Sequence, residues 1–180
     1  MSLVKPLRAI RYPFEDLSRD EIEDRLAPPY DVIDAEEQAE LYDKDPDNII
    51  RIILNKHRES DTDDNNRYTR ARRYLMDWLA QGGLVHDRKP KIFRHDQTFV
   101  DESGAKHCRK GFLAGVKIHQ YEDRVILPHE NTHSEPKADR LNLMKACEAN
   151  LSPIFLLYDD PERKIEKLLK KGSPSKPLVD

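Results

Sequence analysis

The sequence predicts an α+β fold, a mixed sheet with flanking helices. Segments with apolar residues at helical spacing are interleaved with short β-branched runs, which points to layered sheet and helix. Prolines, glycines and capping residues mark the breaks between them. At 180 residues the chain suits one well-buried domain, so 1–171 read as a single domain and 172–180 as a flexible tail.

Leu7 to Tyr12 reads as a short strand, followed by a charged helix from Arg19 to Leu26. Pro28 and Pro29 then hold the chain extended, because proline fixes φ and disfavours helix in the residue before it. Asp34 and Glu37 form a capping-box pattern for a helix to Asp43. Asn48 to Leu54 (NIIRIIL) is apolar on both faces and suits a buried strand. The polar stretch from Glu59 to Asn66 opens like a calcium loop. It carries Asn66 where that loop needs glycine and Arg72 where it needs a bidentate glutamate, so it reads as a solvated loop.

Tyr68, Ala71, Leu75, Trp78 and Leu79 make one helical stripe that ends at Gly82 and Gly83. In that helix Arg70 and Arg73 are expected on the solvated face. Ile92 to Val100 and His107 to Ile118 read as a hairpin turning at Asp101 to Gly104. Val125 to Leu127 reads as a strand end, and a helix follows from Pro136 to Ala149 with Leu143, Met144, Cys147 and Leu151 inward. Ile154 to Tyr158 suits a strand, and Pro161 opens a last helix to Lys171.

Hydrophobic residues make up 37% and charged residues 36% of the chain. So polar a composition fits either long solvated helices or a core completed by further sequence or a partner. Lys and Arg total 31 against 34 acids, a formal charge of −3, so there is no global positive field for nucleic acid or an anionic membrane. Neither a signal-peptide core nor a membrane-length apolar run occurs, and a cytoplasmic location is expected. Cys108 and Cys147 form no CxxC pair and read as reduced thiols.

The densest chemical grouping is His129-Glu130-Asn131-Thr132-His133-Ser134-Glu135-Pro136-Lys137-Ala138-Asp139-Arg140. Proline suits a first helical turn, so this polar loop feeds a helix N-terminus, where free N–H groups and the dipole favour an anion. Lys137 and Arg140, three apart, fall on one face. His129 and Glu130 can move protons, and Glu130 can hold Mg²⁺. The competing explanation is an exposed loop whose charges pair among themselves. The same stretch spells H-E-x-x-H, a zinc-hydrolase pattern. With Pro128 before it and Pro136 after it, that helix would have barely two turns and no apolar seat, so no metal site is assigned. Ala27-Pro28-Pro29-Tyr30-Asp31 is a second candidate, in which rigid prolines present Asp31 as a base, a metal ligand or a local cap.

Three segments together resemble the bacterial and archaeal family called domain of unknown function 1015. They are Val4-Lys5-Pro6-Leu7-Arg8-Ala9, Ala27-Pro28-Pro29-Tyr30-Asp31-Val32-Ile33, and the run from Pro128 through Thr132, Lys137, Asp139 and Arg140 to Asn150-Leu151-Ser152-Pro153-Ile154-Phe155. The family is similar to free serine kinases and to the ParB/sulfiredoxin fold group. The resemblance implies a ParB/sulfiredoxin-like fold and a nucleotide- or phosphometabolite-binding protein, with phosphoryl transfer to a small hydroxyl substrate such as serine. It further implies ADP or ATP with Mg²⁺, Lys137 and Arg140 on phosphate, Thr132 adding a hydrogen bond, and Glu130 or Asp31 as base or metal ligand. Members are longer and carry an Asp-Gly-His-His-Arg segment that is absent here. The chain therefore reads as an N-terminal portion, inactive alone or completed by a C-terminal complement or a second copy. A non-catalytic interaction module of the same fold is the alternative.

Overall fold

The computed structural model describes residues 3–128, 134–174 and 177–178. Among them the fold is mixed α+β, and packing divides the chain into two compact units. A helical unit comprises Ile10–His86 and His129–Ser152; a ribbon unit comprises Met1–Ala9, Asp87–Pro128 and Pro153–Asp180. In place of one mixed sheet, the described strands form three separate two-stranded antiparallel ladders. Each strand run in the sequence is too short, or too polar on both faces, to recruit a third neighbour.

In the helical unit, β2 (Ile10–Arg11) leads into α1 (Arg19–Arg25). Ser18 caps α1 reciprocally: its hydroxyl accepts from Glu21 N at 3.3 Å, and the Glu21 carboxylate accepts from Ser18 N at 2.8 Å. Asp34 caps α2 (Ala35–Lys44) by accepting from Glu37 N at 2.9 Å. NIIRIIL is not a strand: Ile50–Ile53 forms the short helix α3. Its start is set by Asn48, whose amide donates to the carbonyls of Asp24 and Leu26 while its side-chain oxygen accepts from Ile50 N. Ile50 and Ile52 are fully buried. A run apolar on both faces is equally compatible with buried strand or buried helix, and here the bonds of Asn48, just before the N-cap Ile49, favour the helix.

α4 (Arg67–Gln81) begins at Asn66, which accepts from Tyr68 N and Thr69 N, and ends at Gly82, whose φ of 83° is left-handed. The apolar stripe does what its spacing predicts. Ala71, Leu75 and Trp78 join Tyr12, Ile52, Leu84, Leu143 and Cys147 in one core cluster, with Tyr68 and Leu79 packed against it. Leu143 and Cys147 come from α5 (Ser134–Cys147); Met144 is exposed instead of buried. β3 (Val85–His86) returns to pair with β2, Ile10 opposite His86.

Arg70 departs most from expectation. It is buried, not solvated, and its guanidinium donates to Asn55 Oδ1 at 3.0 Å, Lys56 O at 2.7 Å and both oxygens of Asp61, at 2.5 and 3.2 Å. The hydrogen bonds from Arg70 hold the Asp61 carboxyl down at about 2. The pair pins the 59–66 loop against α4.

The ribbon unit is built on β4 (Phe93–Val100) and β5 (Lys106–Leu113), paired from Phe93–Leu113 to Val100–Lys106. Their turn is held by Asp101, which accepts from Ser103 N at 2.9 Å and Ala105 N at 3.0 Å, with Gly104 at φ 84°. β1 (Val4–Lys5) pairs with β6 (Gly115–Val116). Leu7 to Tyr12 is thus not one strand but an isolated Leu7–Lys91 bridge in this unit and β2 in the other. α6 (Lys164–Gly172) is tied to β5 by Lys110–Glu166 at 2.5 Å. Neither 125–127 nor 154–158 forms a strand; Ile154 and Leu157 are exposed. No described helix is long and apolar enough to cross a membrane.

Candidate functional site

Within the helical unit, the first turns of α5 meet the proline loop 27–31 and the start of α4. Asp139 and Arg140 stand in the second turn of α5, just after the polar loop that the sequence singles out. The Arg140 guanidinium lies over the Tyr30 ring, 3.8 Å from its centroid, a cation–π contact worth roughly 0.5–2 kcal/mol. Its Nη1 donates to Ile53 O at 2.9 Å and its Nε to Asp139 Oδ2 at 2.9 Å, with a further bond from Nη2 to Asp139.

Asp139 is shared. Arg67 Nη2 sits 2.6 Å from its Oδ1, and the Tyr68 hydroxyl donates to the same oxygen at 2.9 Å. Burial pushes the Asp139 carboxyl up, but bonds from Arg140 and Tyr68 and the charges of Arg140 and Arg67 outweigh it, leaving it below the usual range. Two guanidiniums thus face one carboxylate, and the trio carries a net charge of about +1. The hollow beside them, lined by Ile52, Asn55, Arg67, Asp139, Arg140 and Leu143 among others, is about 10 Å³, room for one water.

Of the residues singled out from sequence, the structure brings Arg140 against Tyr30, so the 27–31 loop and the start of α5 form one place. Asp31, next to Tyr30 in the chain, is exposed, and Lys137, one turn before Arg140, is exposed. His129, Glu130 and Thr132, with the second histidine of the zinc pattern, lie outside the described residues. Arg140 holds the chain together as much as it offers charge, which its spacing from Lys137 does not reveal. Arg67 and Tyr68 are the members that sequence reasoning missed. Their one signal is a basic and an aromatic residue opening a helix, and nothing local says that Asp139 lies opposite.

The profile of a family described as "Protein of unknown function (DUF1015)" matches residues 4–180. The chain belongs to this family. No curated protein and no solved structure matches it. The DUF1015 match covers both the 27–31 loop and the stretch from 128 to 155, so the place where Tyr30 meets Arg140 joins two segments of one family pattern. In this DUF1015 chain, Asp139 is committed to the arginines and is a poor metal ligand. Asp31 on the proline loop is exposed, and no group of three metal-ligating side chains occurs among the described residues.

Proposed function

We propose that the chain binds a nucleotide or another phosphorylated metabolite where the 27–31 loop meets the start of α5. The chemistry served is phosphoryl transfer to a small hydroxyl substrate such as serine. The observation that carries the reading is the two-to-one match of Arg67 and Arg140 against Asp139, which leaves positive charge beside a helix N-terminus. The resemblance to free serine kinases supports the reaction class.

In this reading Lys137, exposed and one turn from Arg140, supplies the mobile cation for phosphate, with Thr132 adding a hydrogen bond. Arg140 is held by Tyr30, Ile53 and Asp139 and supplies a fixed positive field. Asp31 or Glu130 orients the hydroxyl or holds Mg²⁺, and His129 moves a proton. When bound, Mg²⁺ neutralises phosphate charge. The hollow of about 10 Å³ favours a second reading, a regulatory module, because any ligand then rests on the outside of the cluster.

Ligand-dependent melting tests the proposal. ADP, ATP or phosphoserine is expected to raise Tm, by about 2.7 kcal/mol of added stability at a hundredfold excess over Kd. Lys137→Ala is expected to cancel the rise given by ADP and ATP without changing the ligand-free Tm, whereas Arg140→Ala lowers the ligand-free Tm itself. A flat response to all three ligands overturns the proposal. Ligand-dependent stabilisation without phosphate transfer from ADP or ATP to serine favours the regulatory reading.

A further inference from the structure

A second cluster, also inside the helical unit but made of other residues, surrounds a much larger space. Arg70, Arg73, Tyr74 and Asp77 follow the i, i+3, i+4, i+7 pattern and share one face of α4. With Arg58 from the preceding loop they line a hollow of about 300 Å³, at the lower end of the range for small-molecule sites. None of these residues belongs to the Arg140 cluster.

The wall is organised by charge. Arg70 is only 5% exposed, and Asp61 neutralises it through paired bonds. Those bonds, with the ones to Asn55 and Lys56, engage four of its five N–H groups. It is therefore a rigid donor and not a source of surplus charge. Arg58 and Arg73 are different: both are exposed, and among the described residues neither guanidinium has a hydrogen-bonding or ion-pairing partner. Arg73 does not close onto Asp77, although the i, i+4 spacing allows it. Two free forks therefore line the hollow together with one carboxylate, Asp77. Tyr74, tilted against Trp78 at 5.8 Å and so held in orientation, supplies a firm ring wall.

We propose that this hollow binds a small phosphomonoester that also carries a hydroxyl or amino group. Arg58 and Arg73 take the phosphate dianion, for which the planar guanidinium fork is the matched donor. Asp77 accepts from the hydroxyl or ammonium, and Tyr74 lies along the carbon skeleton. The volume admits a phosphate together with a small carbon skeleton. The site does not depend on the reading given for the start of α5.

The test uses the full chain with inorganic phosphate and phosphoethanolamine as probes, at ionic strength matched with chloride. Binding is read from the arginine Nε–Hε NMR signals and from Tm. Both probes are expected to shift the Arg58 and Arg73 signals and raise Tm, with phosphoethanolamine binding more tightly. In the Arg58→Gln/Arg73→Gln variant, whose ligand-free Tm stays unchanged because neither side chain is packed, affinity falls about tenfold or more. Asp77→Asn removes the advantage of phosphoethanolamine and leaves inorganic phosphate unaffected. Lys137→Ala leaves binding of both probes intact. An absent response in the parent chain, a response kept by the double glutamine variant, or one lost in Lys137→Ala overturns the proposal. The last of these results would place the phosphate at the start of α5 and so would count for the other site.

Discussion

The helical unit and the ribbon unit use their apolar residues in opposite ways. Among the described residues, the ten buried hydrophobic ones, from Tyr12 to Cys147, lie in the helical unit, whereas those of the ribbon unit include no buried hydrophobic residue and leave Ile118, Ile154 and Leu157 at least 80% exposed. The difference follows from element type. α4 offers a stripe three turns long that α3 and α5 cover together, whereas β4 and β5 pair only with each other and expose both faces. A two-stranded ribbon is marginal in water without a covering layer. The polarity of the whole chain is therefore an average over a unit with an ordinary core and one whose order rests on backbone ladders and ion pairs.

The largest effect that sharpens this contrast comes from making one substitution in both units. Leu75→Ala removes a fully buried side chain from the core cluster and is expected to cost about 2–5 kcal/mol in denaturant unfolding. Leu157→Ala, at a residue 83% exposed, is expected to stay within about 0.5 kcal/mol. Equal costs would break the comparison, because they would mean that Leu157 is covered in solution.

The same contrast governs what the sequence discloses. The α4 stripe and the caps at Ser18, Asp34 and Asn66 are legible because each depends on residues within one or two turns. NIIRIIL misleads because its burial on both faces erases the periodicity that separates strand from helix. Ile154 to Tyr158 misleads in the other direction: its composition is that of a strand, but no described strand pairs with it. At the candidate site, the loop and the α5 start stand out by composition alone. The fixing of Arg140 does not, because Ile53 lies 87 residues away and Tyr68 meets Asp139 across 71. Arg70 hides for the same reason on a smaller scale. A helix wheel scores it as solvated, and only the fold of the 55–61 segment brings Asn55, Lys56 and Asp61 around it.

The next effect in size is acid sensitivity in the helical unit. Asp61 titrates at about 2 in the folded chain against 3.8 when unperturbed, so its contribution is fully present above about pH 4 and disappears as pH falls through 2. Asp61→Asn is expected to lower Tm at pH 7 and to flatten the drop in Tm between pH 4 and pH 2. Arg70→Ala should do the same and lower Tm further, since it strips Asn55 and Lys56 of their donor as well. An unchanged acid profile in Asp61→Asn would remove that pair from the account of the core.

Asp101 makes the smallest and most local prediction, and it tests whether the ribbon stands on its own bonds. Its carboxyl is also held at about 2, by hydrogen bonds from Ser103 and His107 and from the Ala105 backbone. The Asp101 side chain is only partly exposed, at 36%, but the turn it organises has no core beneath it. The sign is the same as for Asp61: support present above about pH 4 and lost toward pH 2. The consequence is expected to stay within the hairpin. Asp101→Asn should speed amide exchange from Val100 to Lys106 and leave the protection of Ala71, Leu75 and Trp78 unchanged, because local opening of a ribbon does not require the core to open. If exchange in α4 accelerated as well, the two units would be unfolding as one cooperative body, and the contrast in burial would carry no contrast in stability.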